Sequence, residues 1–173
     1  LLIFFDILAA FPSLQHAFLF AFLAVCELPA GMMEYLTSLY KGNVAFSKTA
    51  AGLQKLFDIL GGVLQGCPLS GDLFVIALDT FLYLLADAIP TLCCKGFADD
   101  LGMILQEVKQ LPRLHRAFDI LARMANLCVS PGKCVVIVLG TDQASTEKKV
   151  QAYVEKFCGS WRSFRFARVA KYL

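Results

Sequence analysis

Two aspartates stand side by side in "KGFADDLGMIL", residues 95–105, between apolar runs. Adjacent carboxylates such as Asp99 and Asp100 repel unless a cation neutralises them. Mg²⁺ does this well, because it prefers carboxylate and phosphate oxygens and keeps several waters. Two such ions a few ångströms apart can activate an attacking hydroxyl and stabilise a leaving pyrophosphate. That chemistry needs a third carboxylate. Asp6, closing the apolar run "LLIFFD", is the candidate. It converges with Asp99 if its strand pairs beside the 95–104 hairpin. Asp58, Asp72, Asp79 and Asp87 compete, but the last three fall in a helical stretch, where Asp79 is expected to face solvent. Taken alone, an Asp-Asp at a turn is only a turn, so the pair needs its context.

The elements that must position these carboxylates are partly readable. "LLIFFD" suits a buried strand. Pro12 is expected to break it, and Ser13 to cap a helix running to about Glu27. A second short helix is expected over 31–40, a turn at Gly42-Asn43, and two strands within 44–60. "GGVLQGCPLSG", 61–71, is a glycine-rich loop, after which Ser70 is expected to cap a long helix from 71 to about 88, with Asp72 in its first turn. "TLCCKGFADDLGMIL" reads as a hairpin with the aspartates at its turn. Leu111, Leu114, Phe118, Leu121, Met124 and Ala125 have helical spacing. "VSPGK" is a turn, "CVVIVLG" a strand stopped by Gly140, 142–158 a helix, and 163–173 the start of another strand or hairpin. This order predicts an α+β domain, an antiparallel sheet with helices packed on one face.

Composition narrows the classes. The chain has 173 residues, 58% of them hydrophobic and 17% charged, with a mean hydropathy of +0.64. That length allows one domain with a sizeable core. The apolar run 17–26 is too short to span a bilayer, which takes about 20 residues, and 74–89 is interrupted by Asp79 and Asp87, so no membrane partner is expected. The first residue is Leu and no signal peptide is visible; the chain reads as a piece of a longer polypeptide whose other parts would cover some apolar faces. The seven cysteines form no C-x-x-C pair, and His16 and His115 are far apart, which argues against zinc and for reduced thiols in an intracellular protein. Net charge is +2, but residues 148–173 carry seven Lys and Arg against Glu155 alone. Interleaved with Tyr153, Phe157, Trp161, Phe164, Phe166 and Tyr172, that basic end could hold a phosphate backbone and stack on bases.

Asp6 with Ala10-Phe11, then "GVLQGCPLSGDLF", then "FADD", then "SPGK", in that order, resembles the palm of reverse transcriptases, most closely the non-LTR retrotransposon and group II intron branch. The likeness runs from Asp6 to "KYL". It implies an α+β polymerase palm with fingers and thumb largely missing. Residues 1–140 would form the palm core with motifs A to D, and 141–173 a basic helix and the start of the primer-grip connection to the thumb.

The resemblance implies RNA-directed DNA synthesis: dNTPs added to a DNA primer 3′-OH on an RNA template, with two Mg²⁺ ions, Mn²⁺ an alternative. Asp6 would be the motif A metal ligand, Asp99 the carboxylate that binds both ions, and Asp100 the less direct ligand. Residues 7 to 10, including Ile7 and Ala10, would lie along the triphosphate. Phe11 would crowd the sugar 2′ position and favour dNTPs. Gln65 and Gly66 would touch the incoming nucleotide and template, and Lys133 would protonate pyrophosphate. Nuclear or cytoplasmic location follows by the same resemblance. Pro12 stands where many relatives have a second aspartate, Leu64 where many have a basic residue, and Gly71 where proline is common. A catalytically inactive RNA-binding or structural remnant is the alternative.

Overall fold

In "LLIFFD" Ile3 and Phe5 are buried while Leu2, Phe4 and Asp6 are half-buried, the period-two pattern of a strand with one face on a core. The computed structural model describes residues 1–140 and 143–169; the "KYL" ending and its expected primer-grip role lie outside the described residues. In chain order the elements are β1 (Leu2–Asp6), α1 (Ala10–Ser13), α2 (His16–Val25), α3 (Ala30–Tyr40), β2 (Val44–Thr49), β3 (Gly52–Asp58), α4 (Ser70–Ala88), β4 (Cys93–Phe97), β5 (Asp100–Ile104), α5 (Leu111–Ala125), β6 (Val135–Ile137), α6 (Gln143–Phe157) and β7 (Arg165–Phe166). Single 3₁₀ turns lie at Val108–Gln110 and Gly159–Trp161.

One sheet has the order β4-β5-β1-β6-β7, and β2-β3 form a separate hairpin. β1 is central, antiparallel to both β5 and β6. β7 runs parallel to β6, which departs from the all-antiparallel expectation; α6 intervenes as the crossover that a parallel pair requires. The core lies on one side of this sheet. Ile3 and Phe5 of β1, Leu101 and Met103 of β5 and Val136 of β6 are buried there with Phe74, Phe81 and Leu85 of α4 and Leu114, Phe118 and Leu121 of α5. Phe5 stacks on Phe118 at 4.4 Å between ring centroids and meets Trp161 and Phe164 edge-on at 5.3 and 5.8 Å. His115 fastens the same region from outside, with Asp119 Oδ2 3.3 Å from Nδ1 and Ser160 Oγ 2.6 Å from Nε2.

Three local expectations need correction. Pro12 does not break the chain but sits inside α1, in its first turn, where the missing N–H has no intrahelical partner to lose. Ser13 ends α1 instead of capping α2, whose N-cap is Gln15; its hydroxyl donates to Leu8 O. Ser70 is likewise not a cap. It lies within α4 after N-cap Leu69, and its hydroxyl donates backwards to Leu64 O, tying the glycine-rich loop to the helix. Asp72 does fall in the first turn of α4, and Asp79 is exposed as expected. Along α5 the predicted stripe is buried except for Met124, which is 57% exposed. At 100° per residue it falls roughly 60° outside Leu121, off the edge of the stripe. Among the described residues no helix is long and apolar enough to cross a membrane.

Candidate active site

The two faces of the sheet have opposite chemistry because the pleat alternates. Asp6 and Asp100 are register partners across β1 and β5, so both stand on the face away from the helices. Phe97 lies opposite Asp100 across β4 and β5 on the same face. Phe97 is 83% exposed. The next pair along β1 and β5, Phe4 with Gly102, continues this open face, with the Phe4 ring against the space a Gly102 Cβ would fill, 3.4 Å away.

Asp99 is placed by the turn. Phe97 and Asp100 are partners, which leaves Ala98 and Asp99 as a two-residue loop. Ala98 has φ +52°, while Asp99 does not have positive φ. A positive φ at the first loop residue is a feature of the tight two-residue hairpin turns whose twist matches the flanking strands. A left-handed alanine costs about 1–2 kcal/mol. Ala9, φ 45° and ψ 49°, is left-handed at the N-cap of α1, three residues after Asp6. Strain thus flanks both carboxylate segments, and such strain concentrates at functional sites.

The carboxylates feel one another. Burial first, then the Asp99 charge, then the Asp6 charge push the Asp100 pKa above the ordinary carboxylate value. A raised pKa in the folded state means that Asp100 favours folding less as pH rises through the carboxylate range. A cation beside the group removes the repulsive part of that cost.

Asp6 is held by a second layer of contacts from the turn at 128–134. Leu8 N–H donates to Cys128 O at 2.8 Å and Ser130 N–H donates to Asp6 O at 2.8 Å. Asp6 N–H donates to Cys134 Sγ at 3.4 Å. Lys133 Nζ lies 3.6 Å from Asp6 Oδ2, too long for a hydrogen bond, and Oδ2 is buried with no hydrogen-bond partner. The pair is therefore an electrostatic approach by a mostly exposed lysine, a weak attachment in water.

The remaining predicted residues are dispersed around this centre. Ile7 and Ala10 are 3% and 4% exposed, so both belong to the core, and Ile7 is further tied to Val129 by an antiparallel bridge. Phe11 is half-buried and stacks on Phe74 at 4.7 Å, combining core packing with one side on a cavity of about 460 Å³. Asp72, Val75, Phe97 and Ala98 also line that cavity. Gln65 and Gly66 form an exposed turn, with Gly66 at φ +84°. Their loop is tied to the Asp6 segment upstream: Gly62 N–H donates to Leu14 O at 2.7 Å and Val63 N–H to Phe11 O at 2.9 Å. Gly62 has φ +87°, and a Cβ there would lie 2.9 Å from Pro12 O, so only glycine fits this crossing.

The donor set suits a hard divalent cation in kind. It is made of carboxylate oxygens, and one of them, Asp6 Oδ2, is buried and unbonded. In spacing it stops short: among the described residues no group of three or more His, Cys, Asp and Glu side chains is gathered closely enough to hold a metal ion. Cys134 was not legible as part of this arrangement. In the sequence it is one small residue in an apolar run, 128 positions from the amide it contacts. Burial pushes its thiol pKa up to about 11, so it stays protonated.

The sheet thus carries its paired aspartates, Asp6 and Asp100, on the open face away from the helices. The reverse transcriptase (RNA-dependent DNA polymerase) family matches residues 1–164, and the chain belongs to that family. Its relatives include the transposon TX1 149 kDa protein of Xenopus laevis, 26% identical over 76% of this chain and 11% of that protein. The Pol polyprotein of the type-1 element R2 of Bradysia coprophila is 36% identical over 44% of this chain and 9% of that protein. That of the type-2 element R2DM of Drosophila melanogaster is 28% identical over 76% and 13%. The chain therefore spans about a tenth of these relatives' length.

Similar solved structures include telomerase from Candida albicans with the TWJ fragment of telomeric RNA, TM-score 0.63 and 14% identity over 82% of this chain and 28% of that one. Apo telomerase from Candida tropicalis, truncated from its C-terminal domain, gives 0.64 and 20% over 82% and 31%. At these identities the likeness is one of fold. The chain is a partial reverse transcriptase domain of the non-LTR type.

Proposed function

We propose that the polypeptide carrying this chain is the RNA-directed DNA polymerase of a retroelement. It would add dNTPs to a DNA primer 3′-OH on an RNA template, with two Mg²⁺ ions at Asp6, Asp99 and Asp100, Mn²⁺ substituting. The observation that carries this reading is the Asp6–Asp100 register pair, with Asp99 next to it in the turn. The ions, when bound, would activate the 3′-OH and offset charge on pyrophosphate. The 3′ oxygen bonds to the α-phosphorus as the bond to pyrophosphate breaks. Asp6 offers its buried oxygen to the cation, and Asp99 and Asp100 add the negative charge that repels itself in the free protein. Lys133, beside Asp6, is the candidate donor of a proton to departing pyrophosphate. Phe11 is the candidate wall against a ribose 2′-OH, Gln65 and Gly66 the contact to nucleotide and template, and the backbone of Ile7 to Ala10 the bed of the triphosphate.

In this reading residues 1–140 are the palm core and 141–173 a basic helix leading toward the primer grip. Other segments of the same polypeptide supply fingers and thumb, and the protein works in the nucleus or cytoplasm. An inactive RNA-binding or structural remnant is the second reading, and the absence of a gathered group of three ligands among the described residues favours it. The deciding experiment gives the parent polypeptide poly(A), oligo(dT), dTTP and Mg²⁺. Primer extension that stops on chelation of the metal is expected; no extension under these conditions, with Mn²⁺ also tried, favours the remnant.

A further inference from the structure

We propose that Cys134 is a positioning residue for Asp6, its sulfur locking the backbone of the carboxylate-bearing strand end to the turn that carries Lys133. The inference rests on the polymerase reading for its consequence, though not for its geometry.

Cys134 is fully buried. Its sulfur accepts the Asp6 N–H at 3.4 Å and donates to Ser130 O at 3.3 Å. Ser130 in turn donates its own N–H to Asp6 O at 2.8 Å and accepts the Lys133 N–H at 3.0 Å. Asp6, Ser130, Lys133 and Cys134 thus share one closed set of bonds with the thiol at its centre. The peptide oxygen of Cys134 also accepts Arg165 N–H at 3.0 Å, extending the tie to β7. Asp6 is the last residue of β1, so its amide sits where the ladder runs out. The β1–β6 register covers Leu2 to Phe4 only. Without the sulfur, the Asp6 N–H loses the partner that the end of the ladder no longer supplies, and a buried N–H without a partner is rarely tolerated. A thiol is a weak donor and weak acceptor at once. Alanine can be neither, while serine can be both in nearly the same volume.

The contacts therefore fix two things that catalysis needs fixed together: the direction of the Asp6 carboxylate and the distance of Lys133 from it. Misplacing a positioned group by about 1 Å costs on the order of a hundredfold in rate. Loss of one weak sulfur contact should cost less, about tenfold.

The test uses the parent polypeptide and its Cys134→Ala and Cys134→Ser variants, each first confirmed as folded by thermal melting. Hydrogen exchange of the segment containing Asp6 gives a readout independent of activity. Exchange about tenfold faster in Cys134→Ala, and near wild type in Cys134→Ser, is expected. In primer extension, Cys134→Ala should lower kcat about tenfold with KM for dTTP within twofold, and Cys134→Ser should restore kcat. Wild-type exchange and kcat in Cys134→Ala overturn the proposal, as does equal loss in both variants, which marks packing alone. Faster exchange without a change in kcat also overturns it. If the wild type itself extends no primer, the polymerase reading fails separately, and the exchange arm still decides whether Cys134 holds Asp6.

Discussion

Asp99→Asn is expected to abolish primer extension by the parent polypeptide while leaving its fold intact. Asparagine keeps the size of the side chain and suits a turn as well as aspartate does. Asp99 occupies the second place of the Ala98-Asp99 loop, with β4 and β5 held on either side by five register pairs. Removing its charge also relieves part of the pressure on Asp100, whose pKa is raised by burial first and by Asp99 next. The melting temperature should therefore stay or rise slightly. Activity moves the other way. Bound cations supply several kcal/mol of charge stabilisation in a transition state, and each 1.4 kcal/mol is tenfold in rate. A loss on the order of a thousandfold or more is expected. Primer extension on poly(A)–oligo(dT) and a thermal melt, on the same preparation, check both halves. A variant as active as the wild type removes Asp99 from the chemistry.

Phe5→Ala should do the reverse, destroying the fold with no direct contact to any ligand. Phe5 is 2% exposed, neighbours Asp6 in β1, and points to the opposite face. Its ring touches three aromatics from distant segments, Phe118 of α5 and Trp161 and Phe164 from the stretch after α6. Truncation leaves a cavity that rigid rings fill badly, and such changes cost about 3–5 kcal/mol. Domains hold only about 5–15 kcal/mol in all. Phe5→Leu, which refills much of the volume, should recover a large part of this loss. Urea unfolding followed by Trp161 fluorescence measures it. An Ala variant within about 1 kcal/mol of wild type contradicts the packing described.

The contrast between these neighbours explains what the sequence revealed. Period-two and helical patterns are set by which side chains meet the core, and they survive in one dimension. β1, the 95–104 hairpin, α4 and α5 were therefore legible, and so was the placement of β1 beside the hairpin, which makes Asp6 and Asp100 register partners. Caps are set by a few local hydrogen bonds that compete with equally good alternatives. Ser13 and Ser70 look like caps in sequence, yet both hydroxyls bond carbonyls behind them. Met124 fits the spacing of α5 but lies beyond the edge of its buried stripe, a matter of helix angle that apolar counting blurs. The parallel β6–β7 pair spans a helix and rests on two strand residues, too few to show a pattern. The Cys134–Asp6 contact links positions 128 apart through a residue type with many ordinary uses, and no local signal marks it. Ala98 and Ala9 carry positive φ where sequence would suggest Gly or Asn, because the surrounding strands and α1 determine their backbone instead.

Anomalous diffraction at the manganese edge, on crystals of the parent polypeptide with primer, template, Mn²⁺ and a non-hydrolysable dNTP analogue, would locate the cations relative to Asp6, Asp99 and Asp100. Two peaks about 4 Å apart, against the carboxylates of Asp6 and Asp99 with Asp100 at their side and Lys133 displaced from Asp6 Oδ2, are the expected result. Manganese bound elsewhere, or none at Asp6 in a preparation that extends primers, would contradict the account.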